Sequence, residues 1–213
     1  MKDFTRPMRK IADSTVRRLS LYLRFLEEFE DQGIATVSSD AMALRGGTTS
    51  AQVRKDLSFF GSFGKRGLGY SVPELASRLR EILGLGRQYR VILLGAGKIG
   101  SALVQYHGFH GRGFEIIAAF DADPAKIGTA VNGVAVADVR DLEARCRDLR
   151  PDMAVLVTPA EVAQGLADRL VKLGVKAILN FAPVQLTVPD EVTVKNVNLS
   201  LELEALSYAL VSR

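Results

Sequence analysis

The sequence predicts an α/β protein in two parts, a small helical part followed by a doubly wound parallel sheet. Three observations support this fold class. An apolar run, Val91–Leu94, is followed at once by a glycine-rich turn and a helix-like segment. Apolar runs and helix-like segments then alternate along the chain, as they do in sheets built from strand–helix–strand units. The positive charge lies before the glycine turn, because residues 1–90 carry 16 Lys and Arg against 10 Asp and Glu.

The glycine-rich turn, GAGKIG at residues 95–100, matches the G-x-G-x-x-G fingerprint, and its place between a strand and a helix makes the match meaningful. We expect Gly95 to make the tight turn, Gly97 to let a pyrophosphate approach the backbone, and Gly100 to let helix and strand pack closely. The anion would lie on the amides of the helix N-terminus. The motif therefore predicts a Rossmann domain that holds a dinucleotide; the alternative is a phosphate loop that stays empty.

A carboxylate stands where the ribose of a dinucleotide needs one. The next apolar run ends at Asp121, which lies 21 residues after Gly100. A carboxylate there accepts hydrogen bonds from the adenosine ribose and repels a 2′-phosphate, so we expect a preference for NAD(H) over NADP(H). Asp123 competes for the same role, because the sequence Asp-Ala-Asp-Pro is also typical of a turn.

The segment before the sheet predicts a helix-turn-helix. Residues 17–31 have the spacing of an amphipathic helix that ends at Gly33. Serines 38 and 39 are suited to cap a short second helix, and Thr48 or Thr49 a third helix over residues 50–58. Two short helices joined by the glycine turn Gly46-Gly47 are typical of this motif.

The third helix carries polar side chains suited to base edges and phosphates, while Val53 and Leu57 face the core. Asp56 would repel phosphate unless it turns inward to pair with an arginine. Residues 59–70, FFGSFGKRGLGY, predict a hairpin with a basic tip, and a recognition helix followed by such a hairpin is a winged helix. The alternative is a solvated helix and an ordinary hairpin. The predicted DNA-binding residues are Ser50, Gln52, Arg54, Lys55, Ser58, Lys65 and Arg66.

The last segment predicts a helix with an unusually wide apolar face, on which Leu199, Leu203, Leu206 and Leu210 recur at helical spacing. Such a helix needs cover, either from its own domain or from a second subunit. The predicted domains are a winged-helix DNA-binding domain at 1–86, a Rossmann NAD(H)-binding domain at 87–197, and a C-terminal helix at 198–213, which serves dimerisation if a second subunit covers it.

Several functional classes are excluded by composition. Apolar runs stay shorter than the eighteen or so residues of a membrane span, and the N-terminus has no apolar segment typical of a secretory signal. Cys146 is the only cysteine and His107 and His110 are the only histidines, so neither an intrachain disulfide nor a structural metal site is expected. The expected location is the reducing cytoplasm.

With both parts considered, the chain resembles the Rex family of redox-sensing transcriptional repressors along nearly its whole length. The segment AQVRKDLSFFGSFGKRGLGY at residues 51–70 is the most specific part of the resemblance. The other matching stretches are RLSLYLRFL (17–25), VSSDAMAL (37–44), GAGKIGSAL (95–103), AAFDADPAKIG (118–128), GVKAILNFAP (174–183) and the C-terminal helix.

The resemblance implies a homodimer with winged-helix domains on a palindromic operator and Rossmann domains that sense the balance of NADH and NAD+. It also implies that the C-terminal helix is exchanged between subunits, as a domain swap, and that NADH releases the protein from DNA. The cofactor-binding residues so assigned, from motif and resemblance together, are Gly95, Ala96, Gly97, Lys98, Ile99, Gly100, Tyr106, Asp121, Lys126, Thr158, Pro159, Asn180, Phe181, Pro183 and Asn198.

The resemblance also implies a switch in which Tyr106 and Arg24 exchange partners with an acidic residue at the head of the swapped helix. In this chain that position holds Asn198. An asparagine can hydrogen-bond Tyr106 but cannot form an ion pair with Arg24, so the charged part of the switch departs from the family pattern.

Two other functions fit the Rossmann motif. A dehydrogenase would need an acid or base near its substrate, for which Tyr106, His107 and His110 are the candidates. A module that binds an ADP moiety or coenzyme A without redox sensing is the other alternative. The expectation is a repressor with no catalytic residue, no metal and no membrane partner.

Overall fold

The computed structural model describes residues 11–64 and 68–212, which fall into two compact units. The first unit ends at Arg87 and the second begins at Gln88. In the described residues, no helix is both long and apolar enough to cross a membrane.

The first unit is a helical domain around one apolar core. Its elements are α1 (Asp13–Asp31), β1 (Thr36–Val37), α2 (Ser39–Arg45), α3 (Ser50–Ser58), β2 (Tyr70–Ser71) and α4 (Val72–Ile82). Helix α1 turns Leu19, Leu23 and Leu26 inward, at the spacing that places residues on one face of a helix. It begins at Asp13, four residues before the predicted start at Arg17.

Side chains fix where the two short helices begin. The Ser38 hydroxyl accepts a hydrogen bond from the Ala41 amide at 3.1 Å, and the Thr49 hydroxyl accepts one from the Gln52 amide at 3.1 Å. These are N-cap bonds, which satisfy amides that the first turn of a helix leaves without a partner. The predicted bounds of the third helix, 50–58, are confirmed.

The strand pairing of the predicted hairpin over residues 59–70 is wrong for the described residues. The antiparallel ladder of this unit joins β2 to β1, with Val37 opposite Tyr70, and residues 59–64 contain no strand. The chain still folds back on itself, because a Cβ on Gly64 would lie 2.5 Å from the Gly69 carbonyl oxygen. The predicted basic tip, Lys65 and Arg66, lies outside the described residues.

The second unit is built on a seven-stranded sheet with the order β5-β6-β4-β3-β7-β8-β9. The strands are β3 (Tyr89–Leu94), β4 (Phe114–Asp121), β5 (Ala130–Val131), β6 (Val134–Asp138), β7 (Met153–Leu156), β8 (Ala177–Asn180) and β9 (Thr193–Asn196). The helices are α5 (Lys98–Val104), α6 (His107–His110), α7 (Leu142–Leu149), α8 (Ala160–Lys172) and α9 (Leu199–Val211).

Six of these strands are parallel, and in chain order they lie as 3-2-1-4-5-6, the order of the Rossmann fold. The predicted fold class is therefore confirmed, with β5 added as an antiparallel edge strand. Helices α7 and α8 pack on the face that carries Ile92, Leu94 and Phe120. Leu103 and Val104 of α5 pack on the opposite face. Strand β9 was not predicted from the sequence.

Candidate functional site

The carboxyl ends of β3 and β7 lie side by side, because these strands pair through Leu94 and Leu156 where the strand order reverses. Ligands of open α/β sheets bind at such a point. A cleft of about 850 Å³ opens there. Its lining residues are Leu94, Gly95, Gly97, Phe120, Asp121, Ala122, Asp123, Lys126, Val139, Val157, Thr158, Pro159, Val162, Gly165, Leu166 and Arg169.

The three glycines of the loop after β3 occupy three different environments. Gly95 has φ +102°, and a Cβ there would collide with the Val157 carbonyl oxygen. A Cβ on Gly100 would collide with the Gly95 carbonyl oxygen, so helix and strand approach as closely as predicted. A Cβ on Gly97 would meet nothing within 4 Å. The first and third glycines thus shape the loop, and the second leaves open space beside its backbone.

Asp121 ends β4 at the edge of the cleft and is held by three donors. Its Oδ2 accepts hydrogen bonds from the Ala96 amide at 2.8 Å and the Lys126 ammonium at 3.2 Å, and its Oδ1 accepts one from the Asp123 amide at 2.9 Å. Burial raises the pKa of Asp121, but these hydrogen bonds outweigh it and the pKa is lowered. The carboxylate is therefore ionised at neutral pH and remains an acceptor.

Lys126 bridges both candidate carboxylates, since its Nζ also lies 3.5 Å from Asp123 Oδ2. The hydrogen bond to Asp121 is the main cause that raises the pKa of Lys126. Asp123 is exposed and forms a local turn through its bond from the Ala125 amide, whereas Asp121 is partly buried. Asp121 is thus the better placed of the two for a ligand in the cleft.

The opposite wall of the cleft contains a polar atom that lacks a partner. Thr158 follows β7, and its Oγ1 is buried without a hydrogen bond to any described residue. A buried hydroxyl without a partner carries a desolvation cost, which a polar ligand in the cleft would relieve. The open space at Gly97, the acceptor at Asp121 and the hydroxyl at Thr158 together fit a dinucleotide.

Asn180, at the end of β8, does not line this cleft; its side chain holds the following loop in place by hydrogen bonds. Its side chain is fully buried; Nδ2 donates to the Val184 carbonyl oxygen at 2.8 Å and to Asn196 Oδ1 at 2.9 Å. Its Oδ1 accepts from the Ala182 amide at 3.0 Å. The loop that carries Phe181 and Pro183 is thereby tied to the end of β9.

In the first unit, helix α3 carries the predicted outward residues, and none of them is buried. Arg54, Lys55 and Ser58 are exposed, and Ser50 and Gln52 are half-buried. Arg54 Nη1 donates to the Ser39 hydroxyl of α2 at 2.8 Å, which fixes its guanidinium beside the preceding helix. The five described members of the predicted DNA-binding set therefore lie on one helix.

Asp56 turns inward from α3, as the sequence predicts, and is fully buried. It accepts hydrogen bonds from Arg18 Nε at 2.6 Å and Nη2 at 2.7 Å, from the Tyr22 hydroxyl at 3.0 Å and from Gln52 Nε2 at 2.8 Å. Burial alone would raise the pKa of Asp56, but the hydrogen bonds from Arg18, Gln52 and Tyr22 outweigh burial. The pKa of Asp56 is therefore lowered. Burial of Tyr22, together with the hydrogen bond that its hydroxyl donates to Asp56, raises the pKa of Tyr22 to about 12.

The terminal helix α9 has no cover from the described part of its own chain. Every residue from Leu199 to Val211 is exposed, and Leu203 shows 67% of its surface to solvent. Asn198 caps the helix, because its Oδ1 accepts a hydrogen bond from the Ser200 amide at 3.0 Å. Of the two predicted sources of cover, the chain's own domain does not supply it.

Similarity to known proteins extends over almost the whole chain. The repressor "Redox-sensing transcriptional repressor Rex" of Carboxydothermus hydrogenoformans is 48% identical over 199 residues, which are 93% of this chain and 96% of the relative. The protein of the same name from Thermus thermophilus is 47% identical and covers 95% of each chain. The chain belongs to the Rex family.

Solved structures and family models agree with membership of the Rex family. A crystal structure of RSP with β-NAD+ and operator DNA matches at a TM-score of 0.90 and 40% identity, over 95% of this chain and 93% of that one. RSP with β-NADH matches at 0.86 and 39%, over 95% of each chain. The family described as "CoA binding domain" matches residues 86–184, and the family described as "Putative DNA-binding protein N-terminus" matches residues 10–58.

The cleft brings together only part of the set predicted from Rex-like motifs. Ala96 is buried beneath the loop, Lys98 and Ile99 are exposed on α5, and Tyr106 follows that helix with its ring against Phe109. The predicted residues that line the cleft are Gly95, Gly97, Asp121, Lys126, Thr158 and Pro159.

Sequence reasoning missed the far wall of the cleft. Val162 and Leu166 of α8 line it, one helical turn apart, and Arg169 follows within the next turn. Arg169 is fixed by two hydrogen bonds to Glu143, at 2.5 and 2.6 Å, which lower the pKa of that carboxyl to about 2. The sequence did contain a signal for Val162, Leu166 and Arg169: their helix directly follows Thr158-Pro159, and a helix that follows a binding loop lies beside it.

The described residues contain no cluster of three or more His, Cys, Asp or Glu side chains arranged to hold a metal ion.

Proposed function

We propose that this protein represses transcription by binding palindromic operator DNA as a homodimer, and that NADH releases it. The observation that carries the proposal is its similarity, over 95% of its length, to a repressor solved with both NAD+ and operator DNA. The cleft between β3 and β7 and the polar face of α3 supply one site for each ligand.

In the nucleotide site, the chain's own residues bind and orient NAD(H). The loop around Gly97 accommodates the pyrophosphate, and Asp121 accepts hydrogen bonds from the adenosine ribose. Lys126 is exposed enough to move aside from Asp121 when the ribose arrives. Thr158 and Pro159 border the nicotinamide side, and Asn180 holds the loop that carries Phe181. The bound cofactor supplies a ring that loses its positive charge on reduction.

In the DNA site, α3 enters the major groove. Arg54 and Lys55 project outward and carry charge that suits bases and phosphates. Ser50, Gln52 and Ser58 complete the surface, and Lys65 and Arg66 are proposed to follow the adjacent backbone or minor groove. Homodimerisation through α9 gives two recognition helices for two half-sites.

The switch must be driven by a difference in binding between two states. A shift from 99% to 1% DNA-competent protein needs a differential affinity of ~10⁴, or ~5.5 kcal/mol, of which two NADH sites would each supply half. We propose that Arg24, Tyr106 and Asn198 respond to the cofactor. Tyr106 is 57% exposed and Arg24 lies on the exposed side of α1, so both side chains are accessible to a partner.

The protein is proposed to sense its cofactor without catalysis, and to do so in the cytoplasm. Tyr106, His107 and His110 are absent from the lining of the cleft, which is where an acid or base would be needed. The relatives are named transcriptional repressors, which supports the same assignment.

The decisive experiment is fluorescence anisotropy of a labelled palindromic operator. The probe is titrated with protein and then with NADH against a background of NAD+. We expect NADH to lower the anisotropy to that of free DNA. An operator complex that is indifferent to NADH would contradict redox sensing, and a failure to bind any operator would contradict repression.

A plain nucleotide-binding module is the second candidate, favoured by the match of residues 86–184 to the CoA binding domain family. Such a module would respond to the ADP moiety that these cofactors share. Equal release from DNA by ADP, coenzyme A, NAD+ and NADH would support it. Selective release by NADH would exclude it.

A further inference from the structure

The amide of Gln52 is held in one orientation by a buried carboxylate. Its Nε2 donates to Asp56 Oδ1 at 2.8 Å, one helical turn further along α3. Asp56 is itself immobilised by the two hydrogen bonds from Arg18 of α1 and the one from Tyr22. The side chain of Gln52 is therefore fixed at its nitrogen before any DNA is bound.

The chemistry of Asp56 makes this orientation obligatory. Arg18 and the other donors keep the carboxyl ionised, and an ionised carboxylate can only accept hydrogen bonds. If the Gln52 amide turned over, its Oε1 would face Asp56 Oδ1 with no proton between the two acceptors. The hydrogen bond to a charged group would be lost and replaced by repulsion, so nitrogen must face Asp56.

The Gln52 carbonyl oxygen is consequently directed away from Asp56. A free glutamine can offer either end of its amide to a base, but here the nitrogen already gives one of its two protons to Asp56, and the oxygen is the end left directed outward. In the major groove an acceptor matches the N6 amino group of adenine or the N4 amino group of cytosine. It does not match guanine O6 and N7 or thymine O4, which are acceptors themselves.

We propose that Asp56 is a specificity-determining residue: it fixes Gln52 so that its carbonyl oxygen accepts a hydrogen bond from the amino group of an adenine or cytosine in the operator. The inference rests on the proposed function, because it requires α3 to enter the major groove. Asp56 acts through Gln52 and does not touch the DNA.

The test begins by locating the base pair that Gln52 contacts. Full-length protein with NAD+ is used to enrich duplexes from a pool with a randomised palindromic site. The same enrichment with Gln52→Ala identifies the pair at which selection is lost. At that pair, the adenine or cytosine is then replaced by purine or 2-pyrimidinone, which lack only the amino group.

We expect removal of the amino group to weaken wild-type binding by about 10-fold and to leave Gln52→Ala unaffected. Asp56→Asn should reduce this difference, because an amide can face Gln52 with either of its ends. Tyr22→Phe is the matched control, since it removes a different hydrogen bond to Asp56 and should keep the difference. If Asp56→Asn fails to fold in a thermal unfolding assay, the wild type is tested instead with hypoxanthine or uracil at that position, which place an acceptor where the amino group stood. A Gln52 amide that cannot turn over should bind these bases no better than purine or 2-pyrimidinone.

The outcomes separate the two proposals. Enrichment of no sequence by the wild type would contradict the proposed function itself. An enriched operator that binds equally well without the amino group, or in which Gln52→Ala changes no position, would overturn this inference alone. Full dependence on the amino group in folded Asp56→Asn, or wild-type binding to hypoxanthine or uracil that is tighter than to purine or 2-pyrimidinone, would overturn it as well.

Discussion

Asn198 opens helix α9 with the same capping bond that an aspartate would make. Its Oδ1 accepts the Ser200 amide, and asparagine and aspartate are about equally good N-caps. The resemblance to Rex implies an acidic residue at this position, and relative to that expectation this chain keeps the cap and lacks the charge. Asn198 therefore supplies the capping hydrogen bond of α9 without a negative charge.

We predict that Asn198→Asp changes the NADH sensitivity of operator binding without changing the stability of the fold. The added charge would allow an ion pair with Arg24, which asparagine cannot form. The measurement is the NADH concentration that releases half of a labelled operator, with Gln88→Glu, which adds a charge at an exposed position outside the cleft, as a comparison. An unchanged NADH response would remove Asn198 from the mechanism.

Cys146 is a second residue whose surroundings decide its chemistry. It is buried on α7, and burial, with a smaller contribution from the Glu143 charge, raises the pKa of its thiol to about 11. The thiolate, which is the reactive form, is about 100-fold scarcer than for a free thiol with a pKa of 9.0.

We therefore predict that Cys146 does not respond to oxidants or thiol reagents in the native protein. Labelling by a chromogenic disulfide at pH 8 should be slower by at least about 100-fold than in denaturant, and should track local unfolding. Fast native labelling would show that α7 opens readily. Redox sensing would then have a thiol candidate besides the nucleotide.

At the scale of the element, α9 is the helix whose apolar residues are not covered by the described part of its own chain. Its leucines face solvent in every direction, and a fully buried leucine gains about 1.5–3 kcal/mol over an exposed one. An apolar helix of this length is unfavourable in water unless a partner covers it. The second subunit is the partner that the proposed homodimer supplies.

We predict that Leu203→Gln combined with Leu206→Gln converts the protein to a monomer and abolishes tight operator binding. Neither leucine belongs to the core, so the monomer should retain its thermal stability. Light scattering after size exclusion measures the mass, and Glu204→Gln on the same helix serves as the control. A dimer that survives the double substitution would place the interface elsewhere.

Helix α3 yields a prediction about phosphate contacts. Lys55 is exposed, and its charge is suited to the DNA backbone. Lys55→Ala should weaken binding to all sequences alike and reduce the salt slope by about one unit per lost phosphate contact, as should Arg66→Ala. Anisotropy titrations over a range of salt concentrations test this. A change in sequence preference would mean that Lys55 contacts a base.

The elements that could be predicted are those governed by local chemistry. The caps at Ser38 and Thr49, the turn at Gly95 and the inward carboxylate of Asp56 follow from short-range geometry or from charge. Strand β9 could not be predicted, because it is a four-residue edge strand with only Val194 partly buried and no clear alternation. The role of Asn180 depends on Val184 and Asn196, partners that only the folded loop brings near.

At the scale of the whole molecule, NADH and operator DNA must oppose each other symmetrically. Linkage requires that a ligand which weakens a second ligand is weakened by it to the same degree. We predict that saturating operator DNA lowers the affinity for NADH by the same factor by which NADH lowers the affinity for DNA. Calorimetric titration of NADH into protein, with and without operator, measures this factor.

The control for this prediction is NAD+, whose affinity should change little or should rise in the presence of operator. NADH affinity that is the same with and without DNA, in a protein that NADH releases, would violate the two-state description. A third state would then be required, such as a complex in which only one of two subunits has changed conformation.

The ion pair between partly buried Arg18 and fully buried Asp56 has a mechanical consequence. It ties α3 to α1, which also carries Arg24, so we expect the two helices to move together. Any pull on Arg24 would then be transmitted along α1 as a displacement, with the recognition helix intact. The two half-sites of a dimer lie one helical turn of DNA apart, or a multiple of it. A displacement of α1 and α3 would therefore stop repression by changing the spacing of two recognition helices that stay folded.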